Sequence, residues 1–344
     1  MRKVIYILSV VLTFVLLESC ELRPLDELNK NLLLLLKIDF NIKNVTTLPE
    51  PEIMRVIFYD PKTDKRYTED YVPAEGGPIS IPPGNYDVMV YNFDTESTMI
   101  RNDISRLRIE AYTNEVSSQV RNNVINSIKR SIVQSKASTD EDSEPVDSAW
   151  LKAMERLENT KIVYEPDHLF VARDYITIYE RSGEQVIETR AETVVETYFL
   201  SVRVTNIKYM ATANALLTGQ IGSNFIGFPK EEGKSDDDVT LFFQMEAGTD
   251  SLENDVVQTT FNTFGKLPGK ESRLWLTIIM TSLTGEPVVW HRDITDEFND
   301  NPDLKIVIED DPIVVPIPEP GTGGGGGFQP GVAEWEEEHH YIDL

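Results

Sequence analysis

The chain has 344 residues with an apolar fraction of 40%, enough for one large core or two ordinary ones at roughly 100–200 residues per domain. Acidic residues outnumber basic ones 58 to 32, and a net charge of −26 argues against nucleic acid or an anionic membrane surface as partner. One cysteine and four histidines exclude a disulfide framework, an iron–sulfur cluster and a Cys-rich zinc site, and leave little for a zinc enzyme.

Met1-Arg-Lys opens a run that is apolar from Val4 to Leu17, broken only by Tyr6, Ser9 and Thr13. A short basic head before such a run fits a secretory signal, and the run is shorter than the ~18–20 residues of a spanning helix. It ends Leu17-Glu18-Ser19-Cys20, which is similar to a bacterial lipobox, although Glu18 stands where a small residue is usual. Residues 1–19 are therefore expected to be a lipoprotein signal peptide, cut between Ser19 and Cys20. Cys20 would carry the lipid, and that lipid would be the membrane contact. Losing Arg2, Lys3 and Glu18 makes the mature chain one charge more negative.

Beyond the signal, residues 32–42 begin with five leucines and then alternate, Leu36, Ile38, Phe40 and Ile42 against Lys37, Asp39 and Asn41. Period two marks a half-buried strand. Strands are also predicted at 54–59, 79–81, 86–91 and 106–112, with the Asp60-Pro61 and Pro82-Pro83-Gly84-Asn85 turns among them. Residues 114–148 differ: Val120, Val124, Ile125, Ile128 and Ile132 fall at partly helical spacing before an acidic stretch that ends at Pro145. A second helical turn is predicted at 149–158, with Trp150, Met154 and Leu157 on one face. Strands resume at 161–164 and 169–172.

A second series follows at 176–179, 184–189, 193–209, 239–245, 256–264, 273–282, 288–294 and 304–308. The expected units are 20–174 and 175–318, both mainly β, with the short helical insertion in the first. Residues 319–344 form a tail. Its five glycines, Gly323 to Gly327, make a hinge, and Phe328, Val332, Trp335, Tyr341, Ile342 and Leu344 lie beyond it among acids. Such a segment is material for docking, as a strand added to its own sheet edge or a neighbour's.

No catalytic constellation emerges. His168 and His291 stand apart, and His339-His340 are adjacent, a poor arrangement for joint ligation on a strand. Gly-x-Ser-x-Gly, P-loop and His-Glu-x-x-His motifs are absent from the sequence. Asp236-Asp237-Asp238 and the acidic run 293–303 carry oxygen ligands suited to calcium, yet neither matches an EF-hand loop, and solvated loops are the expectation. Trp150, Trp275, Trp290 and Trp335 are candidate sugar platforms; for Trp275 and Trp290, inside alternating strands, burial is the default. No cofactor, metal or enzymatic activity is expected.

Three places carry a resemblance: Leu-x-Ser-Cys20, the stretch from Met54-Arg-Val-Ile-Phe-Tyr59 through Ile79-Ser-Ile-Pro-Pro-Gly-Asn-Tyr-Asp-Val-Met-Val-Tyr-Asn-Phe-Asp-Thr-Glu96, and the glycine run with its Trp-Glu segment from Gly323 to Leu344. In these the chain resembles the Bacteroidales-type fimbrillin superfamily, and within it a fimbrillin-like lipoprotein family of unknown function related to type V pilus proteins. The resemblance implies two tandem transthyretin-like Greek-key β-sandwiches and an anchor, tip or adhesive subunit of surface fimbriae, held on the outer membrane by its lipid. Its partners would be other fimbrial subunits or surface proteins, with a host protein or glycan beyond them. Some precursors in that superfamily are cut after a basic residue near the N-terminus so that a strand can be exchanged. Arg23 is a basic site soon after the lipobox, but the first predicted strand begins only near Leu32, and no basic residue would clearly free that strand apart from Lys37 and Lys43, within and just beyond it. The alternative is a surface carbohydrate-binding lipoprotein serving glycan uptake.

Overall fold

The computed structural model describes residues 32–41, 51–137, 147–180, 185–267, 273–299 and 301–318. The chain is mainly β, as its alternation predicts. The first sheet takes β1 (Leu32–Asn41), β2 (Ile53–Asp60), β3 (Lys65–Pro73), β4 (Gly76–Ile81), β5 (Gly84–Asn92), β9 (Phe170–Ile178) and β10 (Gln185–Thr193). Their order across it is β3-β2-β5-β9-β10-β1-β4. β9 and β10 pair only at Val171↔Glu192 and Phe170↔Thr193, and beyond that corner the sheet curls around one core. Alternate residues from six strands fill that core: Leu34 and Leu36, Val56 and Phe58, Val72, Ile79, Val88 and Val90, Phe170 and Ala172.

The second sheet is built from β11 (Glu196–Thr205), β12 (Met210–Ile221), β14 (Asp238–Thr249), β15 (Asp255–Thr263), β16 (Trp275–Ser282), β17 (Pro287–Asp293) and β18 (Lys305–Val314). It runs β17-β16-β12-β14-β15-β11-β18, with β8 (Lys161–Tyr164) beside β14. Strand β14 makes the bend: its first half pairs with β8, and its second half, Glu246–Thr249, pairs with β15. The core inside holds Leu200, Val202, Ala215, Leu217, Phe243, Phe261, Leu276, Ile278, Ile306 and Ile308. Tyr198, Phe243, Phe261 and Phe298 stack through it, Phe243 on Phe261 at 4.5 Å.

Helices α1 (Ser118–Ala137) and α2 (Ser148–Leu157) lie between strands of the first sheet in sequence, yet they cover the second sheet's outer face. Val124, Ile128, Trp150, Met154 and Leu157 meet Leu216, Phe242, Trp275 and Ile279 there. The Ser117 hydroxyl accepts from the Val120 N–H, and the Asp147 carboxylate from the Ala149 N–H, so both helices begin on a capping side chain. Arg121 of α1 donates to the Leu157, Glu158 and Thr160 carbonyls and so satisfies the end of α2. A short third helix, α3 (Thr295–Asn299), tucks Phe298 into the second core.

The chain leaves the first sheet only after Thr193, so the division expected between 174 and 175 falls inside β9. The strand expected at 106–112 begins only at Glu110, and the one expected at 193–209 stops at Thr205. A small third sheet, β6 (Thr98–Arg101), β7 (Glu110–Thr113) and β13 (Ser223–Asn224), ties the two halves together in the order β13-β7-β6. Beneath it Ile57, Tyr59, Met89, Tyr91 and Leu169 share a core with Ile221, Ile226, Phe264 and Leu267. Buried Glu110 fixes the joint: Arg101 donates to both its oxygens, and the Ser223 hydroxyl to one at 2.6 Å. Burial pushes the Glu110 carboxyl up, but those donors outweigh it and hold the group below its ordinary value.

Candidate functional site

The strand nearest the expected lipid site is an inner strand. β1 pairs in parallel with β10 from Leu34↔Gln185 to Asn41↔Glu192, and antiparallel with β4 from Leu32↔Ile81 to Lys37↔Gly76. Leu34, Leu36 and Ile38 point into the core, while Lys37 stays outside and meets Glu188 at 3.6 Å. Gly76 has φ +98°, and a Cβ there would lie 2.1 Å from the Leu36 carbonyl oxygen, so only glycine lets β4 close on β1 at this point. The Ile38 N–H also donates to the Glu75 carbonyl at 3.1 Å. All of these bonds would have to break to release β1.

On the outer side of β2 a buried guanidinium gathers a polar cluster. Arg55, whose side chain is 9% exposed, donates to the Tyr91 hydroxyl and to Asp103, each at 2.7 Å, and to Glu69. Arg66 reaches the same two carboxylates at 2.8 and 2.9 Å. Burial works against the Arg55 charge, but its acceptors outweigh that and raise its pKa. Burial also pushes the Tyr91 phenol up to about 12. Beside the cluster Tyr71 and Phe93 lie edge to face at 5.4 Å and are exposed.

A cleft of about 600 Å³ opens where β14 runs on past the end of β8, walled by Ser97, Tyr164, Glu165, Phe199, Gln244 and Thr260. Glu165 is half-buried, and desolvation raises its pKa, although the Asn262 N–H donates to it at 2.9 Å and partly opposes the rise; Asp167 adds to it. A carboxyl raised in the fold costs stability as pH climbs from its unfolded to its folded pKa, and that loss persists above. Glu165→Gln keeps a carbonyl acceptor for Asn262. Its stability advantage over the parent should grow as pH climbs from about 4 to 7 in urea titrations. A gap that is flat with pH, or that closes, would mean Glu165 ionises freely.

The lipidation and cleavage residues Cys20 and Ser19, and the tail residues Phe328, Val332, Trp335, Tyr341, Ile342 and Leu344, lie outside the described residues, as does Trp335 among the tryptophans. Trp150 and Trp275 are buried in the helix–sheet core, Trp150 stacked on His291 at 4.0 Å and bonded to Thr277, so neither offers a face to a sugar. Trp290 is half-buried and donates to Asp311. Burial lowers the pKa of both His168 and His291. Among the described residues no three His, Cys, Asp or Glu side chains converge on a metal position. In the acidic runs, Asp237 faces Lys161, and Asp293 accepts from Thr295 at the start of α3. The Arg55 cluster and the cleft have no signal in local sequence, since each assembles residues from distant strands.

A curated Bacteroides ovatus protein named "Putative fimbrium anchoring subunit Fim4B" is 29% identical over 205 residues, 56% of this chain and 51% of that one. The chain thus spans about half the length of that relative. A crystal structure of "a putative adhesin" from the same species superposes with a TM-score of 0.55 at 24% identity, covering 87% of this chain and 98% of that one; this likeness bears on the fold. The fimbrial anchor protein Mfa2 from Porphyromonas gingivalis aligns over 81% of this chain and 89% of its own, at 12% identity and a TM-score of 0.41. Residues 19–244, well over half the chain, match one family along their length, and the chain belongs to that family, described as Domain of unknown function (DUF5119).

Proposed function

We propose that this chain is a non-enzymatic anchoring subunit of a surface fimbria, held on the outer membrane by a lipid on Cys20 and joined to other fimbrial subunits by strand pairing. The observation that carries the reading is the seat of β1. The strand nearest the lipid is locked between β4 and β10 with three side chains in the core, as suits a subunit that stays attached through its N-terminus. Cutting at Lys37 would split this strand in the middle rather than free it. The relative named as a fimbrium anchoring subunit supports the same reading. The tail beyond the glycine hinge, Phe328 to Leu344, is the candidate strand for pairing with the next subunit. The glycan reading loses two of its platforms with the burial of Trp150 and Trp275.

Immunogold microscopy on unpermeabilised cells tests this, comparing the natural chain with Cys20→Ala and with a deletion of 328–344. Label at the cell-proximal ends of filaments is expected. Cys20→Ala should release filaments into the medium, and the tail deletion should leave labelled cells without filaments. Label scattered over cells with unchanged filaments in both variants would overturn the anchoring role.

A further inference from the structure

We infer that the fold is a tension-bearing link: load enters on β1, leaves on β18, and meets each as a lengthwise shear against the strand beside it. The inference rests on the anchoring reading only for the direction of the load.

The argument is topological. β1 lies parallel to β10 over eight registered pairs. β18 lies parallel to β11, from Phe199↔Lys305 to Val202↔Ile308 and again at Val204↔Ile313 and Thr205↔Val314. β10 and β11 are consecutive in the chain, joined by Val194 and Val195, which are 1% and 2% exposed in the core shared by the two halves. Tension from the N-terminus therefore crosses from β1 to β10 through one ladder and runs along Val194-Val195 into β11. It then crosses to β18 through a second ladder, while β4 on the other edge of β1 and β15 on the other edge of β11 brace the two inner strands.

Direction matters at each crossing. In the first, β1 is pulled toward its start and β10 toward its end; because the two are parallel, they are dragged along each other. In the second, β11 is pulled toward its start and β18 toward its end, with the same result. An antiparallel hairpin in either place would be peeled open one bond at a time. In these ladders every bond is loaded together. A slip of one residue would also turn Leu34, Leu36 and Ile38 out of the core, so the side chains resist the slide as well. The far end of the second ladder is tied by the Val315 N–H on the Thr205 carbonyl and by Asn206 on the Val315 carbonyl, each at 3.1 Å.

Single-molecule pulling on the unlipidated mature chain tests the inference, with the Cys20 thiol as one handle and a C-terminal tag as the other. In the second geometry the handles are Cys20 and a cysteine introduced by Val186→Cys, an exposed residue of β10 opposite Leu35. That pair pulls the start of β1 sideways off the start of β10 and peels the ladder. The urea midpoint of Val186→Cys serves as the check that the variant folds. At one loading rate the end-to-end rupture force should exceed the peeling force by about twofold or more, because forced unfolding reads the barrier along the pulled direction. Equal forces, or a weaker end-to-end geometry, would overturn the inference whatever the gold labelling shows.

Discussion

Leu36→Asp should remove most of the stability of the first sheet, while Leu33→Asp, three residues earlier on the same strand, should cost little. Leu36 is 2% exposed and Leu33 is 60% exposed. Truncating a buried leucine costs about 2–5 kcal/mol, and an aspartate adds an unpartnered charge in an apolar core. Against a typical domain stability of about 5–15 kcal/mol, that is most of what is available. The site cannot relax to absorb the change. Leu36 sits opposite Gly77 on one side and Ile187 on the other, and the Gly76 backbone is already against its carbonyl. Urea unfolding of the mature chain, followed by tryptophan emission and far-ultraviolet dichroism, measures the difference. Losses of similar size at Leu33 and Leu36 would mean that β1 is not seated between β4 and β10. Since Tyr59, Tyr91, Ile226 and Phe264 share a core between the two halves, the damage should reach the tryptophans of the second half.

How much of this was legible in the sequence follows from the physics of each element. β1, β2, β5 and β16 were found because their apolar residues alternate or run together between clear turns. β12 escaped, although it is central to the second sheet. Its Ala213, Ala215 and Leu217 face the core and its Leu216 faces the helices, so both faces are apolar and small, and the period-two signal vanishes. β3 escaped for the opposite reason: Lys65–Pro73 is a polar edge strand with only Val72 buried in the core. The helices were predicted from their spacing, but an amphipathic stripe does not name what it packs on. Trp150 meets Thr277, 127 residues further along the chain, and His291 beyond it. That β9 and β10 share a sheet is likewise set by long-range pairing, β9 on β5 and β10 on β1, which no local change of composition marks.

The Arg55 cluster shows what such assembly is worth, and Arg55→Leu should be the second most costly change. Removing the guanidinium leaves Glu69 and Asp103 facing each other with Arg66 alone between them, and strips the Tyr91 hydroxyl of its donor. Breaking a buried ion pair from one side costs about 3–5 kcal/mol, but both carboxylates retain some exposure, so solvent should reduce this to about 2–4 kcal/mol. Arg55→Lys should recover only part, because one ammonium cannot span Tyr91, Glu69 and Asp103 in the planar geometry that the guanidinium supplies. Combining Arg55→Leu with Glu69→Gln separates charge from packing. If the double variant is more stable than Arg55→Leu alone, the cost lay in the stranded carboxylate; if the losses add, it lay in the contacts that the Arg55 side chain makes over Tyr91 and Phe93, whose ring centres lie 5.9 and 5.8 Å from its guanidinium carbon. In either case Phe93, which lies edge to face with exposed Tyr71, loses its support, and the aromatic pair at this end of the sheet should become mobile.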